Sequence, residues 1–538
     1  MAPSNPSPLA APGRRAAVIS TLVVAVGYTL SRVLGIVRDI IITAQFGTSW
    51  QADAYQAAFQ IPDFLYLVIM GGALGSAFIP VFNGLLGEEQ PDAAWRLANG
   101  VLNTALIVMV LLAALVAWQA DFLVGLIWRS FAPEKHALTV DLLRLMLIQP
   151  VLLGMGGLAK ATLESFDRFS LPALGSNLYN IGIILGALLL APWLGVHGLV
   201  LGVIGGAALF LAVQIPTLVR LGYRYRANFN LRTPGLSRVG WLMAPRVFGQ
   251  SAWQLGLLVS SGIAASVAGD GAVRANAIAL QLMLLPHGLL ALSLGTVIFP
   301  RLARAHGSGD QASFRQITID AVRSVVFLAL PASVILGVLA VPVVRLLFER
   351  LNFTADSTAL TAAALQTYAI GLTAFAAAEI IVRAFYAMQD TLTPVIAGML
   401  TVALNIMLAN LFVGQGLGLG GIGLAFSIAA TCETLALVLI LWRRWGTLAG
   451  LGRAFWSMLL VTACFAAALL GLRAASTGIV PAITAEGSYT WPVDFVALAA
   501  WTGAALLGCG GLYFGLASLI RLPEAAAITG RLKRLMRR

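Results

Sequence analysis

Continuous apolar runs dominate the chain, each about 20 residues or longer and separated by short segments rich in Arg, Gly and Pro. The runs lack the alternating period of barrel strands, so the predicted fold class is an all-α polytopic membrane protein in which every helix satisfies its own backbone. About fourteen spans are predicted, at about 17–46, 52–86, 97–120, 138–163, 171–191, 197–221, 239–267, 272–302, 320–347, 359–387, 393–413, 420–442, 454–474 and 493–520.

Composition agrees with this reading. Of 538 residues, 59% are hydrophobic and 10% charged, and the mean hydropathy is +0.90, more apolar surface than a soluble domain could bury. The net charge of +12 raises nucleic acid as a partner, but the basic residues cluster in alternate loops. One inner loop alone holds Arg220, Arg224, Arg226, Arg232 and Arg238, whereas the outer loops hold only Arg129, Lys135, Arg274, Arg345, Arg350 and Arg473. That asymmetry predicts cytoplasmic N- and C-termini and an even number of spans. Cys432, Cys464 and Cys509 fall inside predicted helices, without ligand spacing, and read as packing residues.

An internal repeat sets the domain organisation. Leu74-Gly75 with Pro80 is echoed by Leu294-Gly295 with Pro300, and Trp95-Arg96 by Phe314-Arg315. Asn180-Ile181 followed by Gly195, Gly198 and Leu199 is echoed by Asn405-Ile406 followed by Gly420, Gly423 and Leu424. Six helices per half with the same parity imply parallel repeats of the kind found in alternating-access carriers. The expected domains are a disordered tail 1–15, an N-lobe 16–226, a cytoplasmic linker 227–238, a C-lobe 239–447, two further helices in 448–522 and a basic tail 523–538. The loop at about 475–492 is expected to be outer and flexible.

The chemistry concentrates in the first helix. A guanidinium at bilayer depth costs about 2.5–3.5 kcal/mol, so Arg32 and Arg38 should face a protein interior or a watery cavity. Arg32 and Asp39 share a face, and Gly35 could kink the helix and bring both arginines to one cavity. A cationic site for phosphate or diphosphate is one reading, because guanidinium binds phosphate through paired hydrogen bonds; an internal Arg-Asp pair is the other. Asp53 and Asp63 flank the start of the second span, where Asp53 could equally serve as an N-terminal charge favoured by the helix dipole. Glu379 and Glu433 could bind a coupling cation or proton, unless Glu379 pairs with Arg383. Gly416, Gly418, Gly420 and Gly421 read as a turn entering a tightly packed helix rather than a nucleotide loop. The four histidines are scattered and no P-loop is present, so neither an enzyme nor a metal site is expected, and no cofactor.

Ser31-Arg32-Val33-Leu34-Gly35-Ile36-Val37-Arg38-Asp39, then Phe46-Gly47, Ala52-Asp53-Ala54, Pro62 and Gly72 to Pro80, resembles the MurJ/MviN-type lipid II flippases of the multidrug/oligosaccharidyl-lipid/polysaccharide exporter superfamily. Arg168-Phe169 with Pro172-Ala173 and Asn180, Leu294-Gly295-Thr296 to Pro300, and Phe385-Tyr386-Ala387 with Gln389-Asp390-Thr391 and Thr393-Pro394 extend the resemblance over about 20–445. It implies fourteen helices in two lobes about a cationic cavity, with Arg32 and Arg38 as cavity arginines and Asp39 and Asp53 as acids beside them. Two departures stand out: Tyr66 and Gln281 occupy positions where the family usually has arginine, and Gly71 and Leu284 replace nearby acids. Tyr66 and Gln281 can still donate hydrogen bonds to phosphate oxygens, without full charge.

The implied function is outward flipping of a polyprenyl-diphosphate saccharide, lipid II, for cell-wall synthesis in a bacterial plasma membrane, alongside membrane lipids and the cell-wall machinery as partners. Coupling to the membrane potential or a monovalent ion would supply the energy. Export of another lipid-linked oligosaccharide, or a non-transporting scaffold role, are the alternatives.

Overall fold

The computed structural model describes residues 14–70, 73–230, 232–267, 269–446 and 451–526, and among these the regular structure is entirely helical. The helices that matter are α1 (Arg14–Phe46), α2 (Trp50–Ile69, followed by a helical stretch Ala73–Gly87), α3 (Pro91–Trp118), α4 (Pro133–Ser165), α5 (Ser170–Leu194), α6 (Val196–Arg220) and α7 (Leu236–Ala265). They continue with α8 (Ala272–Gly307), α9 (Gln311–Val338), α10 (Ala355–Ala387), α11 (Leu392–Gly414), α12 (Gly418–Trp445), α13 (Leu451–Ser476) and α14 (Phe495–Leu519). Among the described residues, 11 helices are long and apolar enough to cross a membrane, matching eleven of the expected spans. The other three expected spans fall on α1, on α2 with its following stretch, and on α7. The expected tail before Arg14, Gly71, and the basic tail from 527 lie outside the described residues.

The chain forms two compact units that do not follow the lobes read from the sequence. One contains the chain up to Ile42, Ala58–Ala120 and Val140–Gln250; the other contains Thr43–Ala57, Asp121–Thr139 and everything from Ser251. Short stretches at the ends of α1, α2 and α4 therefore belong with the second unit.

The repeat is visible inside each unit. Asp167 and Gln389 both take positive φ, 57° and 61°, in the turn that precedes α5 and α11. In the first unit Trp95 meets Tyr223 at 5.5 Å between ring centroids, and in the second Phe314 meets Trp445 at 5.9 Å. Gly195 (φ 57°) precedes the first turn of α6 and Gly418 (φ 56°) opens α12, so Gly195 pairs with Gly418 rather than with Gly420. The glycine cluster is thus a turn into a tightly packed helix: a Cβ on Gly423 would come 2.3 Å from the Thr367 hydroxyl of α10.

Two expectations change, and the linker is tied to α3, where Asn103 donates to the Asn228 carbonyl and, just before the linker, Asn99 and Asn103 donate to those of Arg224 and Arg226. The loop near 475–492, expected to be flexible, is organised around Arg345, which is fully buried and donates to the carbonyls of Ala482, Thr484, Ala485 and Gly487. Buried carbonyls need donors, and one planar guanidinium supplies several in a fixed fork. Of the cysteines only Cys509 is buried; Cys432 and Cys464 are exposed on their helices.

Candidate functional site

In the first unit, α1 docks on α5 through small and polar side chains. Gly27, Ser31 and Gly35 recur every fourth residue and so form one face of α1. A Cβ on Gly27 would approach Ala173 Cβ to 2.9 Å, so only glycine lets the helices come this close. Asn177 donates to Gly27 O at 3.2 Å, and Asn180 Nδ2 lies 3.3 Å from both Ser31 O and Ser31 Oγ.

That seam ends at Arg38. Its Nη1 donates to Asn180 Oδ1 at 3.2 Å, while Nε and Nη2 reach the Asp39 carboxylate at 3.2–3.3 Å. Asp39 is buried and Arg38 half-buried. The expected Arg-Asp pair therefore exists, but within one helix; the link between helices is made by Asn180. Arg38 also lies within electrostatic reach of Asp63 on α2, and Asp63 within reach of Tyr66. Tyr66 is half-buried against Leu153, Ala207 and Phe210. Arg32, on the same helix as Arg38, is exposed and makes no ion pair among the described residues. The first unit thus brings Arg38 and Asp39 together with Asn180, which the structure adds, and sets Asp63 within electrostatic reach of both Arg38 and Tyr66.

Asp53 and Gln281 belong to the second unit. Asp53 is 1% exposed and caps the start of α8: Oδ2 accepts from Lys135 Nζ at 2.6 Å and Gly271 N at 2.8 Å, and Oδ1 from Arg274 N at 2.8 Å. A carboxylate at a helix N-terminus satisfies orphan N–H groups and is favoured by the dipole. The Arg274 guanidinium reaches back to Gln56 Oε1 at 2.7 Å and Thr43 Oγ1 at 3.0 Å. Lys135 and Arg274, read from the sequence as outer-loop cations, are buried structural donors. Gln281 is half-buried in the third turn of α8.

An apolar cavity of about 490 Å³ lies within the second unit, among Val326, Leu330, Ile370, Ile381, Val438 and Phe455. Arg323 on its wall pairs with Glu524 at 2.7 Å. Glu379 takes the Arg383 guanidinium on its own helix, at 2.9 and 3.1 Å, which realises the pairing alternative for Glu379. Asn180 figured in the sequence as a repeat marker and as part of the family resemblance, with no role assigned; the signal for its role was its three-residue spacing from Asn177 in an apolar helix, which puts two amides on one face.

Eleven helices long and apolar enough to cross a membrane, among the described residues, define a multi-span helical membrane protein. A solved structure described as the inward-facing conformation of a multidrug resistance MATE family transporter of the MOP superfamily aligns with a TM-score of 0.64 at 15% identity, covering 81% of this chain and 99% of that one. A structure described as lipid II flippase MurJ in an inward closed conformation aligns with a TM-score of 0.75 at 24% identity, covering 93% of this chain and 100% of that one. The family described as lipid II flippase MurJ matches residues 42–485. Lipid II flippase MurJ of Burkholderia cenocepacia is 32% identical over 429 residues, 78% of this chain and 82% of that protein. The chain belongs to the lipid II flippase MurJ family, a family of transporters. The family match begins after Arg32, Arg38 and Asp39, so the weight these residues carry comes from their geometry and local motif.

Proposed function

We propose that this protein flips lipid II, the polyprenyl-diphosphate-linked cell-wall precursor, from the inner to the outer leaflet of a bacterial plasma membrane by alternating access. Family membership over most of the chain supports the activity. The observation that carries the site is Arg38: a guanidinium deep in α1, half-buried and aimed by Asp39 on one side and Asn180 on the other. Such a group binds a diphosphate by paired, charge-assisted hydrogen bonds. Arg32, exposed on the same helix, adds a second cation for the same charge. Tyr66, of the same unit, contributes a hydroxyl. Asp53 acts through the start of α8, which it caps. The apolar cavity of the second unit has the character needed by a prenyl segment.

The concentration of basic residues in alternate loops supports cytoplasmic termini. No catalytic step is required; an inside-negative potential of about 100 mV favours outward movement of each negative charge by about 2.3 kcal/mol.

The test is Arg38→Ala in cells depleted of their own lipid II flippase. Expected is loss of complementation while the variant accumulates in the membrane, with Arg38→Lys partly active because charge remains but the fork is lost. Normal export by Arg38→Ala would remove Arg38 from the mechanism. Failure of the unaltered protein to complement would favour a different lipid-linked saccharide or a scaffold role.

A further inference from the structure

The first unit holds a cation that the site around Arg38 does not use. α4 runs without a charged side chain from Leu145 to Ala159 and then carries Lys160, half-buried, with Glu164 one turn on. The two are loosely matched. Lys160 Nζ lies 3.9 Å from Glu164 Oε1, beyond hydrogen-bonding distance, and the ammonium makes no hydrogen bond among the described residues. Lys ahead of Glu at this spacing is also the weaker order for a helical pair. Arg38, by contrast, is held through all three of its nitrogens by Asp39 and Asn180. Lys160 is charged, reachable and uncommitted.

Contacts on three helices fix what surrounds it. The ammonium lies 5.6 Å from the centroid of the Tyr28 ring of α1. Tyr28 and Arg32 are four positions apart and share a face of that helix, so Lys160 meets the face of α1 that carries the exposed Arg32. On α4, Gly157 stands three positions before Lys160 on the same face, and a Cβ built there would lie 3.9 Å from the Tyr66 hydroxyl of α2. Lys160, Arg32 and the Tyr66 hydroxyl thus share one neighbourhood within a single compact unit.

Placement along α1 separates this group from Arg38. Tyr28 precedes Arg38 by ten positions, about 15 Å along the axis at 1.5 Å per residue, toward the N-terminal end of α1. The two phosphates of a diphosphate share one bridging oxygen, so one headgroup does not span that distance. Lys160 and Arg38 are two positions, and their chemistry differs accordingly: a lysine attracts an anion as a flexible point charge, whereas an arginine holds it in a fixed fork.

We propose that Lys160 and Arg32 form a loading site that takes the diphosphate headgroup before Arg38 does, with the Tyr66 hydroxyl as a further donor; the identity of the cargo rests on the flippase reading above. Lys160 exchanges its loose contact with Glu164 for charge-assisted hydrogen bonds to phosphate oxygens, and Arg32 meets the same charge from α1. The headgroup then moves along α1 to the oriented fork of Arg38. The competing role for Lys160 is a pin, in which Tyr28 and Glu164 hold it to join α1 to α4. The two roles give opposite signs at Glu164, because a competing carboxylate weakens loading whereas a pin partner supports the structure.

The test measures the initial flipping rate in vesicles against the content of fluorescent lipid II, for the full-length protein and its variants. Lys160→Gln should raise the half-saturating content about tenfold, the worth of one contact to a charged group, with the maximal rate nearly unchanged. Lys160→Arg should stay near the parent, and Glu164→Gln should lower the half-saturating content. Should Lys160→Gln fail to accumulate, Glu164→Gln carries the test. Unchanged half-saturation in Lys160→Gln, a shift in the same direction in both variants, or a fall in maximal rate alone overturns the loading site and leaves the flippase reading standing. Binding of polyprenyl diphosphate without saccharide, in nanodiscs, separates the two from the other side. Binding weakened in Lys160→Gln and kept in Lys160→Arg, in a protein that flips no lipid-linked saccharide, upholds the loading site and overturns the flippase reading. A parent that binds no polyprenyl diphosphate overturns both.

Discussion

Arg38 shows how a costly side chain is made usable inside a membrane. Asp39 balances its charge from the next position, and Asn180, itself anchored on Ser31, fixes the direction of the fork. A neutral amide at this place orients without neutralising, which an acid would not do. Asn180→Leu should therefore lower flipping while leaving accumulation intact, because it removes a hydrogen bond to a charged group worth about 1.5–3 kcal/mol. Tyr66→Phe should lower flipping by a similar mechanism, through loss of one donor to the charged phosphate. Headgroup-accessibility assays on vesicles containing each variant check both; unchanged flipping in Tyr66→Phe would remove its hydroxyl from the site.

At the scale of elements, the motif Gln389-Asp390-Thr391 with Thr393-Pro394 is a helix start. Gln389 takes the left-handed turn, Asp390 accepts from Thr393 N at 3.0 Å and Thr393 Oγ1 at 2.8 Å, and Pro394 occupies the first turn of α11, where its missing N–H costs nothing. Arg444 of α12 adds an ion pair at 2.6 Å. Burial raises the Asp390 carboxyl, but the Thr393 hydrogen bonds and Arg444 outweigh it and hold it below its ordinary value. A lowered folded pKa contributes stability that is present above the unfolded value of about 4 and is lost as pH falls through the folded value. The melting temperature of Asp390→Asn should accordingly lie below that of the parent at neutral pH, and the gap should close below about pH 4. A gap independent of pH would show that the carboxylate charge plays no part in the cap.

For the whole molecule, the decisive arrangement is that Thr43–Ala57 and Asp121–Thr139 leave the half to which they belong in sequence and join the second unit. Asp53, Lys135 and the first turn of α8 hold them there. Lys135 also faces Asp270 at 3.3 Å and lies 4.5 Å from the Phe131 ring centroid. Lys135→Met should destabilise by about 3 kcal/mol, the low end for breaking a buried pair, because two backbone donors still serve Asp53. Adding Asp53→Asn should recover part of that loss, since it removes the uncompensated charge. Thermal unfolding of the three proteins in detergent checks the cycle, and strict additivity would mean that the pair does not act as a unit.

Much of this was legible in the residues. Long apolar runs located the helices, because a membrane leaves few alternatives to a helix; the spacing of Gly, Pro and aromatic residues exposed the repeat, though its register at Gly195 was two residues off. The cost of a guanidinium in hydrocarbon singled out Arg32 and Arg38, and their motif pointed to the family. Pairing across the sequence was not legible, because periodicity says which face a side chain occupies but not which helix stands opposite. Only the tertiary structure could join Asn180 to Arg38, turn Lys135 and Arg274 from loop cations into buried donors, or gather the loop near 475–492 on Arg345. The apolar pattern alone suffices for insertion, whereas polar partners inside a membrane are chosen by where packed helices bring them together.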